Sequence, residues 1–162
     1  MLKMGKLTDY ATVIMSFLAQ NPGSVHAASE LASAAGISNP TALKVLKTLA
    51  RAGLLQSQRG TKGGYQLTRP ATAITMADIL QAMEGPIGLT ECGSSPGACV
   101  RESQCTVRTN WQRISQAVGD ALAGVSLAEM AAPATQPLHF VKQRPAGVPG
   151  ITADAHAQTA AV

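Results

Sequence analysis

Three cysteines, Cys92, Cys99 and Cys105, fall within 14 residues, and the chain has no others. Neither the 91 residues before them nor the 57 after them carries a thiol. Cysteines that merely pack scatter with the core, so this clustering points to chemistry. An odd number argues against a closed disulfide framework. Three thiolates on one segment suit a metal ion or an iron–sulfur cluster, with one ligand still to be supplied. The spacing Cys92-x6-Cys99-x5-Cys105 differs from the short C-x2–4-C pairs of zinc fingers and from the C-x2-C-x2-C run of bacterial ferredoxins. It suits one cluster wrapped by one flexible segment. His26, His139 and His156 lie far off in sequence. The fourth ligand would then be solvent, a small thiol, an oxygen donor or a residue from elsewhere, and the carboxylates on offer are Asp9, Glu84, Glu91 and Glu102. Three free thiols in a loop, or a structural zinc site, are the alternatives.

Helical periodicity sets the frame around this segment. Leu7, Tyr10, Ala11, Ile14, Phe17 and Leu18 predict a first amphipathic helix, stopped by Asn21-Pro22-Gly23-Ser24. A short second helix is expected from about Ala28 to Ala35, ended by Gly36. Ser38 reads as an N-cap and Pro40 fits the first turn of a third helix running to about Ala52, before Gly53. Residues 54–58 and 65–68 flank a glycine-rich tip and predict a β-hairpin. Met76, Ile79, Leu80 and Met83 mark a fourth helix that stops at Gly85-Pro86. Residues 88–105, rich in Gly, Ser and Pro, read as a loop. The fold class is therefore mainly α with a small β-hairpin: a winged helix-turn-helix followed by a long C-terminal dimerisation helix.

Charge is unevenly spread over this frame. The net charge is +4, yet residues 1–70 carry eight Lys and Arg against two Asp and Glu, while residues 71–162 carry five against seven. A positive first half invites a polyanion. In the third helix Leu43, Leu46, Leu49 and Ala50 are expected to face the core, and Thr41, Lys44, Lys47, Thr48 and Arg51 the opposite side. Ser38, Asn39, Pro40, Thr41 and Lys44 at its start would lie at a major groove, where the first residues of such a helix reach base edges while its lysines, Lys44 and Lys47, meet phosphates. Arg59 and Lys62 at the hairpin tip would reach the minor groove. Gly63-Gly64 would either let the wing approach the backbone of the duplex or serve a turn at positive φ. Double-stranded DNA is the expected partner.

From Thr106 a single long helix is expected. Val107, Trp111, Ile114, Val118, Ala121, Val125 and Ala128 alternate at spacings of four and three, the seam of two paired helices. Gly119 and Gly124 would let a partner helix come close. A homodimer would set two reading helices one DNA turn apart, about 34 Å, matching a palindromic operator. The expected organisation is residues 1–84 as DNA-binding domain, 85–105 as cluster loop, 106–131 as dimerisation helix and 132–162 as a disordered tail. No Ser/His/Asp set, phosphate loop or carboxylate pair suggests an enzyme. No apolar run suggests a membrane span or secretory signal, so a cytoplasmic protein is expected.

Lys6-Leu7-Thr8-Asp9-Tyr10-Ala11, Arg59-Gly60-x-x-Gly63-Gly64-Tyr65-x-Leu67 and the three cysteines followed by Trp111 together resemble a known family. These are the winged-helix transcription factors that sense iron–sulfur clusters, of the IscR, NsrR and SufR types. The resemblance covers about residues 1–131. Residues 85–92 and 111–114 are most similar to proteobacterial regulators of SUF iron–sulfur assembly operons. The resemblance implies a homodimer that controls cluster-assembly genes according to its own cluster occupancy. IscR-type members have a histidine three residues after the third cysteine, where this chain has Arg108. NsrR-type members complete a four-iron cluster with an aspartate of the first helix of the other subunit, a position matched by Asp9. The implied cofactor is thus a 4Fe–4S cluster on Cys92, Cys99, Cys105 and, from the second subunit, Asp9, with 2Fe–2S as the alternative. A regulator responding chiefly to nitric oxide, or a cluster-free member controlled by a protein partner, are the competing expectations.

Overall fold

The computed structural model describes residues 3–60, 62–95, 97 and 99–133. The tail expected from residue 132 lies, from residue 134 onward, outside the described residues. Helix α1 (Lys6–Gln20) buries Thr8, Ala11, Ile14, Met15 and Leu18, one stripe at helical spacing. Its N-cap, Gly5, has no side chain to satisfy the first amides. Glu84 braces this end from the far end of α4: its Oε1 accepts the N–H of Gly5 itself at 2.8 Å and the Thr8 hydroxyl at 2.5 Å. The two hydrogen bonds, the Thr8 hydroxyl first, hold the Glu84 carboxyl below its ordinary range.

Helices α2 (Ala28–Ala34) and α3 (Asn39–Arg51) are the helix-turn-helix pair. Both end as their glycines predict. At Gly36 (φ 64°) Ile37 N–H returns to the Ala32 carbonyl, and at Gly53 (φ 75°) Leu54 N–H returns to Leu49, each at 3.0 Å. Ser38 is the N-cap of α3, but its hydroxyl pairs with the Thr41 hydroxyl at 2.8 Å instead of a backbone amide. The core stripe of α3 is Ala42, Val45, Leu46 and Leu49. This corrects the expected placement of Leu43, which is only partly buried and lies on the outer side of the helix. Positions i, i+3, i+4 and i+7 define a cleaner face than the leucines alone. Leu31, Leu46 and Leu49, fully buried, each contribute about 2 kcal/mol by leaving water.

Strands β1 (Leu55–Gln58) and β2 (Gly64–Leu67) pair antiparallel, with Leu55 opposite Leu67 and Gln58 opposite Gly64. The segment before α2 adds an isolated bridge on the other side of β2, a rung in which His26 and Tyr65 exchange both backbone hydrogen bonds, at 3.0 and 2.9 Å. This fixes the hairpin to the helix-turn-helix. A Cβ on Gly64 would stand 2.2 Å from the His26 carbonyl oxygen, and one on Gly63 would stand 2.3 Å from that of Gln58. Neither residue has positive φ; Gly60 at the tip does. The glycine pair is therefore required by close backbone approach within the chain, not by a left-handed turn.

Helix α4 (Met76–Glu84) starts from a reciprocal cap between Thr75 and Asp78 and stops at Gly85, φ 89°. The loop that follows contains a one-turn helix α5 (Glu91–Ser94), which includes Cys92, and a 3-10 turn at Glu102–Gln104. Helix α6 spans Arg108–Ala123, and a separate α7 spans Leu127–Ala131. The single helix expected over 106–131 is thus broken at Gly124. The break has a local cause: Ser126 and Glu129 form a second reciprocal cap, which starts a new helix. Residues 125–127 are also fastened to the head of α4, through Met76 N–H to Val125 O at 2.9 Å and Leu127 N–H to Ile74 O at 2.8 Å. Helix α7 then packs on α1. Val125 and Leu127 belong to the core with Ile74, Ile79 and Ile14. Val125 is consequently withdrawn from the expected dimer seam.

Candidate functional site

Two sets of residues stand out: a basic face on α3 with the adjoining wing, and the cysteine loop between α4 and α6. On α3, Pro40, Leu43, Lys44, Lys47, Thr48 and Arg51 line one shallow, open groove. Ser38, Asn39, Lys44, Lys47 and Arg51 are exposed, and Thr41 is partly so. The helix dictates this arrangement. Its apolar stripe is committed to α1, α2 and α4, leaving the cations a continuous outer side. Lys44 and Lys47 are one turn apart, and Thr48 folds its hydroxyl back onto the Lys44 carbonyl at 3.1 Å, so it keeps the surface compact. The structure thus brings Pro40, Lys44, Lys47, Thr48 and Arg51 together on one face as expected, and adds Leu43. Half-buried Leu43 in the midst of cations offers an apolar contact of the kind thymine methyl groups accept.

Arg59 and Lys62 are exposed on either side of the hairpin tip. Their position depends on the His26–Tyr65 rung. His26 is buried at 8% exposure, packs edge-on against the Phe17 ring at 5.2 Å, and joins Nδ1 to Glu30 at 2.8 Å. Its Nε2 has no hydrogen-bond partner among the described residues. No periodicity signals His26, since it acts through its backbone; the small residue against it, Gly64, is the trace it leaves in the sequence.

The cysteine loop runs from Gly85 to Val107. Its first part is seated on α6: buried Ser115 accepts the Leu89 N–H at 3.1 Å, and a Cβ on Gly93 would meet the Ser115 hydroxyl at 2.7 Å. Cys92 is next to Gly93 in α5, so that close contact places its backbone against α6. Cys99 and Cys105 are half-buried free thiols. Among the described residues, which leave out the Cys92 side chain, no three His, Cys, Asp or Glu side chains converge tightly enough to hold a metal ion. The donor set itself is thiol-rich and fits a soft metal or an iron–sulfur cluster. Arg108, at the position of the IscR-type histidine, is engaged elsewhere: its Nη2 pairs with Glu102 at 2.6 Å. Asp9 is exposed in the first turn of α1. Val107 at the N-cap of α6 and Trp111 and Ile114 on the helix are exposed at 49, 38 and 45%, with Ala121 exposed and Val118 partly buried further along. Among the described residues no helix is long and apolar enough to cross a membrane.

Comparison with known proteins agrees with this geometry. Residues 4–133 match the family model Rrf2, described as an iron-dependent transcriptional regulator. Protein aau3 of Rhizobium meliloti (strain 1021) is 35% identical over 91 residues, 56% of this chain and 59% of that protein. The chain thus spans little more than half the length of the curated relatives it matches. Among solved structures, CymR, the global cysteine regulator of B. subtilis, is 31% identical, with a TM-score of 0.66 over 81% of this chain and 97% of that one. IscR of T. potens is 25% identical, with a TM-score of 0.63 over 85% and 94%. The winged-helix architecture with its basic reading face and the match over nearly the whole described chain lead to one assignment: this chain belongs to the Rrf2 family of DNA-binding transcriptional regulators.

Proposed function

We propose that the chain is a cytoplasmic, homodimeric regulator of iron–sulfur assembly (SUF) genes, governed by a cluster on Cys92, Cys99 and Cys105. Asp9 of the second subunit is the favoured fourth ligand, and a 4Fe–4S cluster the favoured cofactor. When bound, such a cluster supplies a redox-sensitive tie between thiolates that are otherwise free to separate. The chain's own residues turn that tie into a signal. The ligand loop begins at the end of α4 and ends at the start of α6. Helix α4 touches α3, which carries the basic face, and also touches α6. The stripe of exposed Val107, Trp111, Ile114 and Ala121 with partly buried Val118 is the proposed dimer seam; apolar surface of this kind calls for a partner. Moving the loop would then change the spacing of two α3 helices on a palindromic operator, about 34 Å apart.

The observation that carries the reading is that all three thiols of the chain occupy the one segment linking the basic reading domain to the apolar stripe. The experiment compares anaerobically loaded and cluster-stripped protein on DNA from upstream of SUF genes in gel shifts. A difference of at least tenfold in affinity between the two forms is expected. Equal affinity would refute cluster control. The likeness to the B. subtilis cysteine regulator favours a second reading, in which the chain carries no cluster and answers to a protein partner. Anaerobically purified protein without iron would decide for that reading.

A further inference from the structure

The cysteine loop is closed by an ion pair that the family resemblance does not call for. Glu102 is 11% exposed and uses both carboxylate oxygens: Oε1 takes Arg108 Nη2 at 2.6 Å, and Oε2 accepts the Gly97 N–H at 2.5 Å. Glu102 and Arg108 are also the residues whose backbone amides bind the cysteine carbonyls. Glu102 N–H donates to Cys99 O at 3.0 Å, and Arg108 N–H to Cys105 O at 3.4 Å. One carboxylate therefore ties together Gly97, the turn between Cys99 and Cys105, and the first turn of α6. A second observation concerns Arg108 alone. Its side chain is 39% exposed, yet its Nε atom is buried and has no hydrogen-bond partner among the described residues. A buried donor on a charged group is costly to leave unpaired.

We propose that Glu102 and Arg108 form a clasp that sets the separation and exposure of the Cys99 and Cys105 thiols, and that Arg108 Nε–H is held for a sulfur acceptor bound between them. Arg108 is thus a positioning residue and not a ligand. The clasp explains how this chain does without a histidine at position 108: the side chain there restrains the loop instead of closing the coordination. It also gives the loop a direct mechanical link to the dimer stripe, because Arg108 opens the helix whose next exposed apolar residues are Trp111 and Ile114. The sulfur-acceptor part rests on the cluster reading given above; the restraint on the thiols does not.

The test uses full-length protein purified without oxygen, as wild type, Glu102→Gln, Arg108→Lys and the charge-exchanged double variant Glu102→Arg/Arg108→Glu. In stripped protein, alkylation of Cys99 and Cys105 by iodoacetamide is timed by mass spectrometry. Glu102→Gln should speed both reactions about tenfold, since a charge-assisted pair is roughly twice as strong as a neutral one, and the double variant should recover much of the protection. In loaded protein, the decay of visible absorbance in air and the visible circular dichroism are followed. Arg108→Lys keeps the charge but has no Nε; it should protect the thiols almost as wild type does, yet lose cluster faster and change the dichroism. Wild-type alkylation rates in Glu102→Gln would overturn the clasp. Wild-type cluster decay and dichroism in Arg108→Lys would overturn the sulfur contact. Wild-type protein without iron and sulfide would instead remove the cluster reading and the sulfur contact with it, leaving alkylation to decide the clasp.

Discussion

Substituting Gly64 by alanine should detach the wing from the reading domain. Gly64 has an ordinary negative φ, so alanine is acceptable to the backbone itself. The obstacle is steric. The new methyl would sit 2.2 Å from the His26 carbonyl oxygen, 2.5 Å from its carbon and 3.0 Å from the Ala27 nitrogen, all main-chain atoms that cannot swing aside. Relief requires β2 to withdraw by about 1 Å, which stretches the His26–Tyr65 pair, now at 2.9 and 3.0 Å, beyond hydrogen-bonding distance. Two backbone hydrogen bonds at about 1 kcal/mol each give a loss near 2 kcal/mol. For a chain of this size that is about 4–8 °C in Tm. The displaced tip carries Arg59 and Lys62, and for every phosphate it no longer neutralises the slope of log affinity against log salt falls by about 0.9. Urea or thermal unfolding gives the first quantity, and operator binding across a salt series the second. A Gly64→Ala protein with wild-type stability and wild-type salt slope would refute the argument that the His26 rung positions the wing.

Other outcomes follow from the same geometry. Lys44→Ala and Lys47→Ala should each weaken binding to all sequences alike and reduce the salt slope by about 0.9 per phosphate, whereas Leu43→Ala should lower discrimination at thymine positions with little change in slope. Glu84 carries a lowered pKa because it is hydrogen-bonded by Thr8 and then by Gly5. Its contribution is therefore present above the unfolded value near 4.5 and is lost as pH falls through the lower folded value; Glu84→Gln should flatten that acid limb in unfolding experiments from pH 3 to 7, and an unchanged limb would contradict the Glu84 cap. Gly93→Ala should push α5 off Ser115, whose hydroxyl would be 2.7 Å from the new methyl. Amide exchange at residues 89–95 should quicken, and unchanged exchange would mean that α5 is not seated there.

What the sequence discloses and what it conceals have physical reasons. Helices α1 to α4 and the hairpin follow from apolar periodicity punctuated by Gly23, Gly36, Gly53 and Gly85, each of which adopts positive φ. The reading face of α3 is legible as a row of cations. Leu43 misleads because its hydrophobicity suggests the core while its angular position on the helix places it outside. The end of α6 misleads because its 3.5-residue stripe runs on through Val125 and Ala128, while Ser126-Leu-Ala-Glu129 spells a helix start that outweighs it. The Glu102–Arg108 pair has no helical spacing to reveal it, and the Glu84 cap joins residues 76 and 79 positions apart. Such long-range ties become visible only in three dimensions.

The central claim is that the clustered thiols hold an iron–sulfur cluster. Its most direct test is iron and acid-labile sulfide per chain, with the visible spectrum, in protein purified without oxygen, beside a variant with Cys92, Cys99 and Cys105 changed to serine. Iron and sulfide in equal number, close to four each per chain, and a broad visible band missing from the variant are the predicted result. A colourless wild-type protein with no more iron than the variant would contradict the account.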